Sequence, residues 1–242
     1  MRLCDLLDIL SIVACGKKSL KVALRNTYEI FRINKRASSG ALTGYNLQGL
    51  KFSCLNPESL PFLYTEIFIA EPYWFSSQSD QPLIVDGGVN IGLSVAYFKK
   101  KFPKSRIIGF EPHPEAYKVA MKNINDNRLT NVDLYQAALG SREDSVELHF
   151  YSDSIMASTI SNRLSIRGLE TDAVIVNQVP LSQFIDGEVD FLKLDIEAAE
   201  TLVLDELGEK LKLVKNLFVE FHLTRGDSSN QLSQCIQIIQ DS

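Results

Sequence analysis

Residues 85–92 read Val85-Asp-Gly-Gly-Val-Asn-Ile-Gly92 and continue an apolar run that starts at Leu83. Gly87 and Gly88 permit a tight turn and a close approach of backbone to a ligand, and Gly92 lets the following helix sit close to the strand. About 20 residues on, a second apolar run, Arg106-Ile-Ile-Gly-Phe, ends in Glu111. A carboxylate at that spacing is placed to accept both ribose hydroxyls of a nucleoside. A dinucleotide loop would instead carry G-x-G-x-x-G, with helix amides facing a pyrophosphate. Here Asp86 stands directly before the glycines. An acid there repels phosphate and suits a ligand bearing an ammonium and a sulfonium, which favours S-adenosylmethionine over NAD.

Two further groups sit where apolar runs stop. Asp195, Glu197 and Glu200 follow Val189-Asp-Phe-Leu-Lys-Leu, and Glu220 and His222 follow Asn216-Leu-Phe-Val. Chemistry at a substrate hydroxyl needs a base for the proton, or a metal to lower the hydroxyl pKa. Histidine suits the first task near neutral pH, and strand alternation puts Glu220 and His222 on one side. His222 is therefore the expected general base, with Asp195, Glu197 and Glu220 beside it. The alternative is that these four hold a divalent metal such as Mg²⁺, whose hardness suits carboxylate oxygens; no metal site is the preferred expectation. Glu200 falls in a first helical turn, where its charge suits the helix dipole.

Elements of a particular kind must position these groups. From residue 83 onward short apolar runs alternate with helical stretches. That alternation predicts an α/β fold, a doubly wound and mostly parallel sheet with helices on both faces. Ligands bind such sheets at the carboxyl ends of the strands, where Asp86, Glu111, Asp195 and Glu220 lie. The third strand is expected over Val132–Leu139, with further strands at Ser145–Phe150 and Val174–Leu181. Helices are expected at about Ala199–Leu211 and Gln231–Gln240. Residues 1–80 differ in texture, with a basic stretch from Arg25 to Arg36, and are expected to form a helical or irregular cap; 81–242 would be the cofactor-binding domain.

The chain has 242 residues, 45% hydrophobic and 23% charged, with a net charge of −5. Such a chain buries enough surface to fold without disulfides or metal. The acidity argues against a surface dominated by nucleic-acid or anionic-lipid binding, although a local basic patch is compatible with it. Cys4, Cys15, Cys54 and Cys235 form no CxxC pair and are expected to be reduced packing residues of a cytoplasmic protein. Asp5 and Asp8 interrupt the N-terminal apolar run, which is too short to span a membrane. Leu3, Leu6, Leu7 and Leu10 suit one face of an amphipathic helix, able at most to touch a membrane surface or a partner.

Taken together, Ile84–Gly92, Phe110-Glu-Pro-His-Pro114, Ala137-Ala-Leu-Gly140, Phe191–Glu200 and Val219-Glu-Phe-His222, with Glu66-Ile-Phe and Tyr73 upstream, resemble the FkbM-type family of S-adenosylmethionine-dependent methyltransferases. The resemblance covers about residues 60–225. It implies a Rossmann-like class I methyltransferase fold and methyl transfer, typically to an oxygen of a sugar, glycan or secondary metabolite. It places Asp86, Gly87, Gly88, Asn90 and Gly92 on the methionine side of the cofactor and Glu111 on the ribose. It places Pro112 and His113 near the adenine, Ala137 where the family closes over that ring, and Glu66 within reach of the cofactor from the cap. Small-molecule or carbohydrate acceptors are implied, and no nucleic acid. Other readings of the residues are a methyltransferase-like binding module without catalysis and, with less support, an NAD-dependent oxidoreductase.

Two residues depart from the family pattern. Val89 stands where the family usually has alanine, and Ala198 where it usually has glycine. If position 198 needs a positive φ, alanine there costs of order 1 kcal/mol. The family sheet normally gains two more strands after the last helix, and this sequence stops at Ser242. A sheet short of those strands would expose an edge and favour a homodimer.

Overall fold

A computed structural model describes residues 20–151, 154–159, 171–221 and 228–241. The chain divides into two compact units between Pro72 and Tyr73. The polar stretch 76–82 lies inside the second unit, where Ser77 Oγ donates to Asp190 (2.9 Å) and Asp80 pairs with Lys104.

The first unit holds helix α1 (Leu20–Ala37), a hairpin of β1 (Tyr45–Leu47) and β2 (Leu50–Phe52), and the short helix α2 (Leu60–Tyr64). A π-helical turn, Thr65–Ala70, follows and carries Glu66. The hairpin turns on Gln48 and Gly49, both at positive φ, as a two-residue connection between right-twisted strands requires.

The second unit is built on five parallel strands: β3 (Leu83–Gly87), β4 (Arg106–Phe110), β5 (Val132–Tyr135), β10 (Phe191–Leu194) and β11 (Leu217–Val219). Their order across the sheet is β11-β10-β3-β4-β5. Chain order therefore reverses beside β3, which puts the ends of β3 and β10 at the switch point where ligands bind. The central strands β3 and β10 bury both faces and are apolar throughout except at Asp86 and Lys193. On one face Val85, Ile108, Leu192 and Leu194 pack with Val203 and Leu204 of α5 (Glu200–Leu207) and Cys235 of α6 (Ser228–Asp241). On the other, Phe191 packs against Phe75 and against Phe98 of α3 (Leu93–Lys101). Helix α4 (Pro114–Asp126) packs beside α3. The doubly wound parallel α/β sheet is thus present.

Strands also form where Ser145–Phe150 and Val174–Leu181 were expected to, but outside this sheet. The third strand breaks after Tyr135. Ala138–Gly140 forms a separate β6, parallel to β9 (Thr171–Pro180). With β7 (Asp144–Tyr151) and β8 (Ser154–Thr159) these make a second, four-stranded sheet in the order β6-β9-β7-β8. Val146, Leu148, Val174 and Val176 face its own small core with Ala138. Val146, Leu148 and their polar neighbours alternate in the manner of antiparallel strands with one buried face. The stretch 199–211 is α-helical only to Leu207 and then tightens into a 3₁₀ segment, Gly208–Leu213. Among the described residues, no helix is long and apolar enough to cross a membrane. Cys54 and Cys235 are buried free thiols; Cys4, Cys15 and the N-terminal leucines lie outside the described residues.

Candidate active site

The glycine loop leaves β3 with Gly88, Asn90 and Gly92 all at positive φ (82°, 51° and 88°). Gly88 is required twice over: a Cβ there would stand 1.9 Å from the Asp195 carbonyl oxygen. The loop therefore lies directly against the exit of β10. Gly92 needs its φ rather than its lack of bulk, since a Cβ would meet Ala120 at an ordinary 3.5 Å. Val89 is accommodated by a missing Cβ elsewhere: one built on Gly109 would lie 2.8 Å from its methyl group. Gly88 and Val89 both donate to the Phe110 carbonyl (3.0 Å each), and the buried Asn123 of α4 donates to that of Ile91 (2.8 Å). The turn is thus tied to the element on either side of it.

Glu111 follows β4 directly and is 6% exposed. Its Oε2 accepts from the Asn90 amide and its Oε1 from the His113 amide, both at 2.8 Å. Burial pushes the carboxyl up to about 7, with the two amides and Lys193 pulling the other way. Each oxygen keeps a lone pair for a ligand. A cleft opens at the carboxyl ends of β3, β4 and β10. It is lined by Gly88, Asn90, Glu111 and Pro112, by the apolar Ala137, Ala138 and Leu148, and by Asp195, Ile196 and Glu197. The second sheet matters here because β7 supplies Leu148, a wall residue with no signature in the sequence.

The cleft gathers Gly88, Asn90, Glu111, Pro112, Ala137, Asp195 and Glu197 of the expected site. Asp86 does not line the cleft. Its carboxylate is fully buried beneath the loop, 3.3 Å from Lys193 Nζ, so its charge is neutralised within the protein. Gly87 and Gly92 shape the turn without lining the cleft. His113 is neither an exposed turn residue nor a wall of the cleft: 4% exposed, it caps α4 by accepting the Glu115 amide at Nδ1 (3.2 Å), its ring edge-on to Phe150. Burial holds its pKa below the ordinary histidine value. Glu220 follows β11 directly, and its amide donates to the Leu194 carbonyl (2.8 Å). Glu66 belongs to the first unit. His222 lies outside the described residues. Among those described, Asp195, Glu197 and Glu220 form no cluster able to hold a metal ion.

Lys193 is the residue that motif reasoning missed. Its ammonium donates to the carbonyls of Gly87 (3.0 Å) and Gly88 (2.9 Å) and stands 3.3 Å from both Asp86 and Asp195. Tyr73, also buried rather than lining the cleft, offers its ring face at 5.6 Å. Burial pulls the Lys193 pKa down, but Asp195 and Asp86 more than offset this and hold the ammonium above the ordinary lysine value. One cation thus joins the glycine loop to the exit of β10. The available signal was a lone lysine in an apolar core strand, which is rare unless the charge is paired.

Beyond β10 the backbone is strained: Glu197 has φ 53° and Ala198 φ 84°. Glu200 sustains this bend, Oε1 accepting from the amides of Ile196 (3.2 Å) and Ala198 (3.1 Å). Its work is to hold the loop, beyond any dipole effect. Left-handed backbone costs a side-chain-bearing residue about 1–2 kcal/mol, and glycine's extra unfolded-state freedom offsets about half of that. Ala198→Gly is expected to stabilise the protein by about 0.5–1 kcal/mol and raise the melting midpoint by about 2 °C. A lower midpoint in thermal unfolding would contradict this account.

Residues 86–241 match the family model of the methyltransferase FkbM domain. The chain is 34% identical over 187 residues to Methyltransferase 1 of Beauveria bassiana (strain ARSEF 2860), covering 69% of this chain and 75% of that protein. It is 32% identical over 202 residues to Methyltransferase sdnD of Sordaria araneosa, covering 71% and 78%. A solved structure, methyltransferase FkbM from Methylobacillus flagellatus KT, aligns with 90% of this chain at 16% identity and a TM-score of 0.49; the alignment spans 54% of that longer chain. The match over most of the second unit, with two relatives above 30% identity, shows that the chain belongs to the FkbM family of methyltransferases.

Proposed function

We propose that this methyltransferase moves the methyl group of S-adenosylmethionine to a hydroxyl oxygen of a sugar-like or secondary-metabolite acceptor. The observation that carries the cofactor reading is Glu111. A buried carboxylate fixed by two amides at the end of β4, opening on a cleft with an apolar wall, fits a nucleoside. Ala137, Ala138 and Leu148 would bed the adenine, and the Glu111 lone pairs would take the ribose hydroxyls. Gly88, without a Cβ, lets the amino-acid portion lie close to the backbone. When bound, the cofactor supplies an electrophilic methyl carbon on a sulfonium. The lost sulfonium charge is balanced by the proton that leaves the acceptor oxygen as the carbon–oxygen bond forms.

Asp195 and Glu197 border the cleft where that proton leaves. His222, three residues past β11, is the sequence's candidate to take it. Titration calorimetry tests the cofactor: S-adenosylhomocysteine is expected to bind, and an intact, folded protein that gives no binding heat overturns the reading. Radiolabelled methyl transfer across a panel of hydroxylated acceptors tests the chemistry. His222→Ala is expected to keep S-adenosylhomocysteine binding and lose about 100-fold in turnover, within the usual range for a general base. Unchanged turnover would leave Asp195 or Glu197 as the base.

A further inference from the structure

We propose that the outward face of α1 docks this protein on an anionic membrane surface. The inward face of the helix is accounted for: Ala23, Ile30, Ile33 and Ala37 are buried. The outward face carries Leu24, Tyr28 and Phe31, exposed to 63%, 61% and 51%. Their spacing of four and three residues sets them in one stripe along the helix. Arg25, Arg32, Lys35 and Arg36 are exposed on the same helix. Five basic residues and one acid fall within Leu20–Ala37, a local charge of +4 in a chain of net −5. That is the composition of a helix lying in a lipid interface, with leucine and aromatic groups entering the headgroup region and basic groups meeting anionic heads.

The charge pattern selects among occupants. A second copy of α1 set against this stripe would bring one basic flank against another. The sole acid of α1, Glu29, is already bonded by Arg32 at 3.2 Å. An uncharged apolar partner would leave the basic flank unanswered. A nucleic acid would answer the charge but give Leu24 and Phe31 no apolar bed. An anionic bilayer satisfies both. The rest of the chain carries −9 and is repelled by the same surface, so α1 is the element that such a surface attracts.

Vesicle co-sedimentation of the full chain tests this. Vesicles of phosphatidylcholine with 30% phosphatidylserine are expected to bind it, and phosphatidylcholine alone much less; 0.5 M salt should release most of the bound protein. Each basic residue near such a surface is worth about fivefold in partitioning, so Arg25→Gln with Lys35→Gln should weaken binding about 25-fold. Tyr28→Ser with Phe31→Ser should weaken it at least tenfold. Both double variants should keep the wild-type melting midpoint and S-adenosylhomocysteine affinity, since neither touches the cleft. The proposal is overturned if the serine-lipid vesicles bind no better than phosphatidylcholine. It is also overturned if Tyr28→Ser with Phe31→Ser splits a wild-type dimer and leaves vesicle binding unchanged, or if an RNA oligomer competes the protein off through Arg25 and Lys35 alone.

Discussion

Replacing Lys193 with methionine should lower stability by about 3–5 kcal/mol, the usual cost of leaving one partner of a buried ion pair without its counter-charge. Methionine keeps the approximate length and apolar stem of lysine, so packing changes little while the ammonium is lost. Asp86 then stays fully buried with no cation beside it, the Gly88 carbonyl loses the ammonium as donor, and the Gly87 carbonyl keeps only backbone donation, from the Asp195 amide. For a chain of this length the melting midpoint should fall by on the order of 10 °C. Asp86→Asn in the same chain should restore part of the loss by removing the orphaned charge, but not all, because the two hydrogen bonds from the ammonium to the loop carbonyls are still missing. The four proteins form a double-mutant cycle with a coupling of about 1–3 kcal/mol. A midpoint change under 2 °C for Lys193→Met would mean that the ammonium does not hold the loop. Cofactor affinity measured on the same set, well below the melting range, separates the loop's stability from its shape: a folded Lys193→Met protein is expected to bind S-adenosylhomocysteine less tightly than wild type.

The contrast between Asp86 and Glu111 shows how far the sequence could be read. Both acids end apolar strands, and both were expected to face the cofactor. Strand alternation places Asp86 beside Lys193 across β3 and β10, where the pair registers directly, and its carboxyl is buried as the partner of that ammonium. Glu111 sits one residue past β4, where alternation no longer governs and the turn aims its carboxylate at the amides of Asn90 and His113. The pairing of strands from distant stretches of chain decides such outcomes, and no local pattern encodes it. The parallel sheet itself was legible because strands buried on both faces are uninterrupted apolar runs. The second sheet was not: Val132–Leu139 reads as one β-rich run, and the break between Tyr135 and Ala138 comes from β6 pairing with β9, some 40 residues on. Ala198 was legible in a different way. The alanine where the family usually has glycine marked a position that would be strained if its φ were positive, and its φ is 84°.

Glu111 carries the second large effect, and it has a definite pH dependence. Its carboxyl is raised from 4.5 to about 7, first by burial. The folded protein therefore holds a proton that the unfolded chain releases between those values, so stability contributed by the protonated form is present below pH 4.5 and declines as pH rises to about 7. The amplitude is on the order of 3 kcal/mol. Glu111→Gln should flatten that slope in ligand-free melts from pH 4.5 to 7, a test independent of what the protein binds. Ribose hydroxyls donate to the ionised form, so adenosine and S-adenosylhomocysteine affinity should run in the opposite sense, falling up to tenfold per unit as pH drops below 7. Glu111→Ala removes two charge-assisted hydrogen bonds, each worth about 1.5–3 kcal/mol, and should weaken S-adenosylhomocysteine binding at pH 8 at least 100-fold. If the melts flatten while ligand affinity at pH 8 is untouched in a folded Glu111→Ala protein, the carboxylate is buried as described but does not hold a ribose. If the melts keep their slope, the titrating group is another one, and the environment assigned to Glu111 is wrong.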